Sequence, residues 1–382
     1  MSVSSIISLN VTSMAEYMDA IELAQEHFRS EMCSICEELR ELTGGGCIHS
    51  PNGQPTDSPV WFRGHEKASY MLLPSAYRSE EIPPKDGWKF NGTHLNETTR
   101  DQAFRARTYH LMEKMPETSL EWEEVRQHFR SKTKALDWSE SAYHALAFAM
   151  ESLLDPDQKS IEVLKRRQSL SPLVWLLNPR ALNVQVYLQM RNNTCYIRMA
   201  EPERKLRFAL RQSFLQKRNF ILPGMCHQPY SAGLLSLSVL NAQRMEYGSS
   251  YRQRLLNREL NPFYHLLLRY YADALPIEFG PAALPPMATL APYHSRRIIA
   301  QRGVLSIYPN YAAPNTPDLK LPEKLRDPRA LEHFNGAEKF LARIHIIDPE
   351  RVSHQLRMTG INKTSLYPEA EIFAQDVEFV PP

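Results

Sequence analysis

Short apolar segments that alternate with helical patterns constrain the fold of this chain more than any other feature. They are rich in Val, Ile, Leu and Trp, and most end in polar residues, which is typical of buried strands. The predicted strands are residues 60–62, 135–138, 173–177, 297–307 and 340–347. Strands separated by helices and by long irregular stretches predict a mixed α/β or α+β domain, and we take the α+β class with a mixed sheet.

Helical periodicity fills much of the chain between these segments. The predicted helices are residues 14–42, 98–115, 119–130, 141–153 and 349–358. The Gly run at 44–46 ends the first helix, and Gly360 is suited to the position after the last one. We therefore predict a helical N-terminal extension with a loop over residues 1–55, and one domain over 56–382 with a helical insertion at about 184–275.

The composition favours a folded protein without a strong attraction to nucleic acid. Of the 382 residues, 43% are hydrophobic, which is enough for a sizeable core. The chain has 45 basic and 43 acidic residues, so bulk charge does not hold it on nucleic acid. Basic stretches at 204–218 and 244–258 keep a nucleic-acid acceptor conceivable, although such runs are usually solvated helix faces.

The N-terminal sequence and the cysteines indicate a cytoplasmic protein. The first residues lack a basic region followed by an apolar one, and no run approaches the roughly 18 apolar residues of a membrane helix. Five cysteines in so long a chain suit a reducing compartment. Four potential zinc ligands, Cys33, Cys36, Cys47 and His49, include a pair inside a helical pattern, so we predict no metal site.

The first candidate motif places an arginine at the end of a predicted strand. It reads Phe62-Arg63-Gly64 and is followed by Ser75 and Arg78. The planar guanidinium of Arg63 suits a phosphate or a carboxylate, and the glycine beside it would let a ligand approach the backbone. The alternative is an arginine that pairs with a carboxylate inside the domain.

The second candidate motif places polar side chains at one rim of the sheet. His128 and Thr133 precede the predicted strand, and Asp137 and Ser139 lie at its end, before an Ala-rich helix at 145–149. Ligands of α/β proteins often bind at such a rim. The alternative is that Asp137 and Ser139 cap the helix that follows, and both roles are compatible.

The third candidate motif is Ala300-Gln301-Arg302-Gly303. Gln301, placed here on a predicted strand, would either bind a ligand or satisfy buried backbone groups. Gly303 indicates a strained or closely approached backbone.

The order of these motifs resembles the FRG-domain family, which is named for its Phe-Arg-Gly motif. The resemblance also includes Leu73-Pro74-Ser75, the stretch from Gln127 to Ser139 and Ala300-Gln301-Arg302-Gly303, and it extends over residues 61–374. At 130–132, Arg-Ser-Lys replaces the family's Gly-x-Pro, and Lys134 replaces its Arg. These departures add positive charge and remove turn residues.

A weaker resemblance is to the ADP-ribosyltransferase fold, and it implies NAD as the substrate. In that fold an arginine supports the dinucleotide, a serine supports the ribose region and a glutamate stabilises the cationic ribosyl group. The corresponding residues here are Arg63, Ser139 and Gln301, so the glutamate is missing. Asp137 is one replacement carboxylate, and Glu369 and Glu371 are others.

These resemblances imply a set of site residues and a function. The implied catalytic residues are Arg63, Asp137, Ser139 and Gln301, and the implied binding residues are Phe62, Gly64, Ser75, Arg78, His128 and Thr133. The function is that of an NAD-binding ADP-ribosyltransferase-like enzyme or NAD glycohydrolase, as a toxin or antiviral effector, with a protein or nucleic acid as acceptor. The alternatives are a non-catalytic module that binds a nucleotide or a partner, and a nuclease-like toxin that uses His128 and Asp137 as an acid–base pair.

Overall fold

A computed structural model describes the part of the chain that holds the sheet and its main helices. The described residues are 5–43, 59–78, 101–111, 115–116, 119–129, 131–154, 161–192, 285–290, 296–308 and 330–368. Apart from its first residues, 184–192, the predicted insertion lies outside them.

Each of the five predicted strand segments overlaps a strand, and two further strands, Ile7–Val11 and Met287–Leu290, were not predicted. The strands are β1 Ile7–Val11, β2 Trp61–His65, β3 Ala135–Ser139, β4 Leu173–Leu177, β5 Met287–Leu290, β6 Gly303–Ile307 and β7 Leu341–Ile346. The helices are α1 Met14–Thr43, α2 101–108, α3 Ser119–His128, α4 Ala142–Ala149, α5 Glu151–Leu154, α6 Ile161–Gln168, α7 Pro179–Asn192, α8 Arg296–Ala300, α9 Pro349–Met358 and α10 Lys363–Leu366.

The strands form one seven-stranded sheet in the order β1-β7-β4-β2-β3-β6-β5. Strands β1 and β7 are parallel, and every other neighbouring pair is antiparallel. This mixed sheet with packed helices confirms the α+β class. The ADP-ribosyltransferase-like type of that fold stays a prediction.

The N-terminal segment contributes a strand as well as the predicted helix. Strand β1 pairs with β7 in the register Ile7 to Ala342, and α1 follows it. Strand β1 was not predicted because this edge strand is short, its partner lies far along the chain, and most of its residues are not buried. The boundary predicted at residue 55 stays a prediction.

The segment predicted as a strand at residues 297–307 is a helix, a turn and a strand. Helix α8 ends at Ala300, Gln301 and Arg302 form the turn, and β6 begins at Gly303. Arg302 takes the left-handed backbone conformation, with φ of 47°. Placing Gln301 on a strand was therefore wrong, because a short apolar run such as Ile298-Ile299 fits a helix as well as a strand.

One face of the sheet packs on α1, α4 and α9, and the main hydrophobic core lies there. Tyr17 and Phe28 of α1 and Leu356 of α9 are fully buried in it together with β4 and β7 side chains. Helix α4 lies directly against β2, which its small Ala residues allow. This contact fixes the position of β2 and of Arg63 on it.

Helix caps set the ends of the elements around the core. Ser141 caps α4 by accepting a hydrogen bond from the backbone N–H of His144. Asp348 caps α9 in the same way, and Gly360, with φ of 82°, follows that helix as predicted. Among the described residues, no helix is both long enough and apolar enough to cross a membrane.

Candidate functional site

The candidate site lies where two neighbouring strands separate. Strand β2 pairs with β4 along its full length, from Trp61 to His65, but it pairs with β3 at Phe62 and Ser139 alone. Beyond that pair the two antiparallel strands diverge. A cleft of about 320 Å³ opens beside this gap.

The cleft is lined by three groups of elements. These are strands β2 and β3, the last turns of α3, and a third group made of α4, α5, α8 and α10 with adjoining residues. The lining residues are Phe62, Arg63, Gly64, Glu124, Gln127, His128, Asp137, Trp138, Ser139, Phe148, Glu151, Arg297, Ile298, Gln301, Gly303 and Tyr367. The three sequence motifs therefore meet at one cleft.

The Arg63 side chain spans the gap between the strands. One terminal nitrogen donates a hydrogen bond of 2.5 Å to the backbone oxygen of Asp137, and Nε donates one of 3.1 Å to Nε2 of His65. The other terminal nitrogen makes no hydrogen bond within the described part of the chain. Arg63 is thus held by a carbonyl and an imidazole, and it retains donors for a ligand.

His65 is a buried neutral base behind Arg63. Its side chain is 5% exposed, and burial with the nearby charges of Arg63 and Arg78 lowers its pKa to about 3. The backbone of Tyr70 acts on this pKa in the opposite direction. A neutral imidazole has one nitrogen that accepts, and here Nε2 accepts from Arg63.

Asp137 supplies a carboxylate that solvent in the cleft can reach. Its side chain is exposed, yet protein atoms crowd it, and this desolvation raises its pKa above the usual value. The positive charge of Arg63 and a hydrogen bond from the Gln127 side chain act in the opposite direction. Desolvation and these two interactions thus act in opposite directions on the carboxyl group. Such a group can exchange a proton or stabilise a developing positive charge.

Helix α3 brings a second carboxylate that the sequence analysis missed. Glu124, Gln127 and His128 lie three and four residues apart, so they share the helix face that borders the cleft. Glu124 is only 3% exposed. The sequence did contain a signal for Glu124, because it lies one helical turn before the Gln127-His128 motif.

The third group of lining elements carries an aromatic pair and a second arginine. The rings of Phe148 and Tyr367 meet edge to face with centroids 6.1 Å apart, and the Arg297 guanidinium lies 5.2 Å from the Tyr367 centroid. The Tyr367 hydroxyl lies 3.1 Å from Glu151, which also pairs with Arg166 at 3.3 Å. Glu151 is thus engaged in holding Tyr367.

Ser139 and Gln301 line the cleft but have structural partners. The Ser139 hydroxyl donates to the backbone oxygen of Gln301 at 2.7 Å and accepts from the backbone N–H of Ser141 at 2.9 Å. The Gln301 side chain donates to the backbone oxygen of Leu366 at 2.8 Å. Both residues therefore join β3, the turn before β6 and α10. The contact of Gln301 matches its structural alternative. Asp137 and Ser139, in contrast, do not cap α4 as predicted, because Ser141 is its cap.

Gly64 allows helix α4 to approach its Cα. A Cβ there would lie 1.9 Å from the backbone oxygen of Ala145 and 2.5 Å from the backbone nitrogen of Ala149. The packing of α4 therefore requires this glycine, and the predicted approach of a ligand to its backbone stays a prediction. Gly303 is similar, because a Cβ there would lie 2.3 Å from the Ile298 side chain.

Ser75, Arg78 and Thr133 lie outside the cleft lining. Ser75 accepts a hydrogen bond of 3.0 Å from the backbone N–H of Thr133 and so ties two loops together. Arg78 donates to the backbone oxygen of Leu73 at 2.8 Å, while its charge acts on Asp137. Their predicted contacts with a ligand stay predictions.

Other candidate groups fall beyond the described side chains. Glu369, Glu371, Cys47 and His49 lie outside the described residues, and so do the side chains of Cys33 and Cys36. Within the described part of the chain, no cluster of three or more His, Cys, Asp or Glu residues is arranged to hold a metal ion.

The fold and the cleft define an α+β protein with a polar, arginine-bearing site between diverging strands. Residues 58–158 match the family model of the FRG domain, and this match includes β2, β3, α3 and α4. The chain therefore carries an FRG domain, as its motifs predicted. Comparisons with curated proteins and with solved structures found no match.

Proposed function

We propose that this FRG-domain protein binds NAD in the cleft and cleaves its nicotinamide–ribose bond. One observation carries the proposal: the guanidinium of Arg63 and the accessible carboxylate of Asp137 border the same cleft. NAD combines an anionic diphosphate with a positively charged pyridinium glycoside. A fixed arginine and a carboxylate are the groups that this combination requires.

The remaining lining residues fit the other parts of a dinucleotide. The partly exposed rings of Phe148 and Tyr367 offer apolar area to a planar base, and Arg297 beside them offers a second positive charge. Arg63 retains one terminal nitrogen for a phosphate oxygen. The diphosphate would lie near Arg63, with one base toward the aromatic pair.

The proposed reaction breaks the bond between C1′ of the ribose and the pyridinium nitrogen. The bonding electron pair moves to that nitrogen, so nicotinamide leaves as a neutral molecule. The ribosyl group then carries positive charge, which the Asp137 carboxylate stabilises. Water or an acceptor nucleophile forms the new bond to C1′, and its proton passes to Asp137 and then to solvent.

Asp137 is the best placed of the three carboxylates for this role. Glu151 is already bonded to Arg166 and Tyr367. Glu124 is almost fully buried, whereas Asp137 is exposed within the cleft. Glu124 lines the cleft without reacting in this proposal, so its loss should affect the rate less than the loss of Asp137.

The test is nicotinamide release from labelled NAD, with and without cell lysate as a source of acceptors. The variants are Arg63→Ala, Asp137→Asn and Glu124→Gln. Arg343→Ala is the control, because Arg343 contacts Ser8 and the Trp175 ring rather than the cleft. We expect loss of release with the first two variants, a smaller decrease with Glu124→Gln, and no change with the control.

Release that is absent from the folded wild-type protein, with or without lysate, would refute the enzymatic proposal. Label found on protein or nucleic acid would identify the acceptor, and free ADP-ribose would indicate hydrolysis. If cleavage is confirmed, growth arrest on expression that Asp137→Asn relieves would support a toxin or antiviral role in the cytoplasm.

A non-catalytic module is the second candidate. The observation that favours it is that two nitrogens of Arg63 and the hydroxyl of Ser139 are already bonded within the protein. Calorimetry with NAD distinguishes the two, because a module binds NAD without releasing nicotinamide. Loss of RNA or DNA in the same lysates, without NAD, would instead support the nuclease alternative with His128 and Asp137.

A further inference from the structure

We propose that His65 is a positioning residue that fixes the orientation of the Arg63 guanidinium by accepting the hydrogen bond from its Nε. The importance of this contact for a ligand rests on the proposed function. The contact itself is independent of it, so the two proposals can fail separately.

Strand geometry places the two side chains together. Residues two apart on a strand point to the same face, and Arg63 and His65 are so placed on β2. Nε of Arg63 lies 3.1 Å from Nε2 of His65, and the imidazole is 5% exposed. The Tyr70 ring meets the imidazole edge-on with a centroid distance of 6.0 Å, which limits its rotation.

Two contacts define the plane of the guanidinium. His65 holds Nε, and the backbone oxygen of Asp137 holds one terminal nitrogen. A single hydrogen bond would let the planar group turn about that contact, whereas two contacts at different nitrogens prevent this. The second terminal nitrogen is then kept in one direction for an anionic group of the ligand.

The contact requires a neutral imidazole. The groups that act on His65 are the guanidinium of Arg63 from its own strand, that of Arg78 from the following loop, and the backbone of Tyr70. Both side-chain groups are cations, so a protonated imidazole would repel Arg63 instead of accepting from it. Only a side chain with an acceptor at the position of Nε2 maintains this arrangement.

Two substitutions of His65 distinguish the effect of its hydrogen-bond acceptor from the effect of its side-chain volume. His65→Gln keeps an acceptor at about the reach of Nε2, and His65→Met fills a similar volume without one. His345→Met is the control, because His345 is partly buried on β7 and does not line the cleft. Calorimetry with NAD should give a dissociation constant at least tenfold higher for His65→Met, and within threefold of wild type for His65→Gln and for the control.

A ligand-free measurement makes the inference independent of NAD. In ¹⁵N-labelled protein, the Arg63 Nε–H signal should be protected from exchange in wild type and His65→Gln, and lost in His65→Met.

If both variants fail to fold, imidazole ¹⁵N spectra of the wild-type protein decide. A protonated Nδ1 with an unprotonated Nε2 supports the inference, and the opposite tautomer overturns it. A folded His65→Met variant with a protected Arg63 signal also overturns it. A wild type that shows the protected signal but no affinity for NAD refutes the proposed function alone.

Discussion

The Arg63 side chain donates to the backbone oxygen of Asp137 across the gap where β2 and β3 no longer pair. A side chain thus takes the place of the backbone hydrogen bonds that a continuous sheet would form there. The loss of pairing between β2 and β3 therefore both opens the cleft and places the Arg63 guanidinium at it. Arg63 thus makes a structural contact at the cleft, and the proposed function adds ligand binding to it.

Replacement of Arg63 by lysine tests how much the planar guanidinium contributes to ligand affinity and to stability. Lysine keeps the charge but cannot hold His65, Asp137 and a ligand in fixed directions. We expect the affinity for NAD to fall at least tenfold and the free energy of unfolding to fall by about 1–2 kcal/mol. Calorimetry and urea denaturation measure both quantities, and Arg343→Lys should change neither appreciably.

Replacement of Gly64 by alanine tests the contact between β2 and α4. The new Cβ would overlap backbone atoms of Ala145 and Ala149, so the helix must move. We expect a loss of about 3 kcal/mol in the free energy of unfolding. Urea denaturation measures this loss.

Gly360→Ala is the matched control for that substitution. No atom lies within 4 Å of a Cβ there, and the cost comes from the positive φ alone. We expect about 1 kcal/mol. Equal losses for the two variants would contradict the close packing of α4 on Gly64.

His65 should make stability depend on pH. Its pKa is about 3 in the folded protein and near the ordinary 6.5 in the unfolded chain, so the unfolded chain binds more protons between these values. Stability is therefore greatest above pH 6.5 and decreases as the pH falls. From pH 6.5 to pH 5 the decrease attributable to this group should be about 1.5 kcal/mol.

The measurement is denaturant unfolding at several pH values for wild type and His65→Gln. Other groups titrate in the same range, so the difference in slope between the two proteins isolates the contribution of His65. Parallel curves would show that His65 is not held neutral in the folded protein.

Replacement of Ser139 by alanine separates structure from ligand binding. The substitution leaves the backbone oxygen of Gln301 and the N–H of Ser141 without their hydrogen-bond partner. We expect a loss of about 1–3 kcal/mol in stability. The affinity for NAD of the folded variant should stay within threefold of wild type. A large loss of affinity without a loss of stability would restore Ser139 as a ligand contact. Ser169→Ala, at an exposed serine, is the control.

Ionisation of Asp137 should produce the rise of the reaction rate on the acidic side of the pH–rate profile. The carboxylate acts in its ionised form, and desolvation raises its pKa above the ordinary 3.8. Nicotinamide release should therefore increase with pH as Asp137 loses its proton, at a pH above that of an ordinary aspartate. Rate profiles of wild type and Glu124→Gln should share this limb. Loss of the limb in Glu124→Gln would instead transfer the catalytic role to Glu124.

Much of the fold follows from local patterns in the sequence. The segment Leu173–Leu177 is apolar throughout, and all of β4 is buried in the middle of the sheet. The predictions failed where a pattern was short or its partner distant, as in β1 and at Ile298-Ile299. In both cases contacts with remote parts of the chain, and not local preference, select the conformation.

The sequence indicated which residues belong to the candidate site, but it did not indicate the contacts that each of them makes. An arginine on one strand and an aspartate on another were evident from Phe62-Arg63-Gly64 and Asp137-Trp138-Ser139. Their predicted place at strand ends was wrong, because Arg63 and Asp137 are the middle residues of β2 and β3. That Ser139 bonds to the turn at Gln301, or that Gly64 makes room for α4, depends on distances between elements far apart in sequence.

The sequence by itself determined the α+β class, the FRG motif and the places of β2, β3, β4 and β7 along the chain, because these depend on local hydrophobic patterns and on residue identity. Only the tertiary structure decided that β2 and β3 diverge, that His65 holds Arg63, and that Glu124 joins Asp137 at the cleft. The physical reason is that hydrogen bonds and desolvation act over a few ångströms in space. Folding of the whole chain sets those distances.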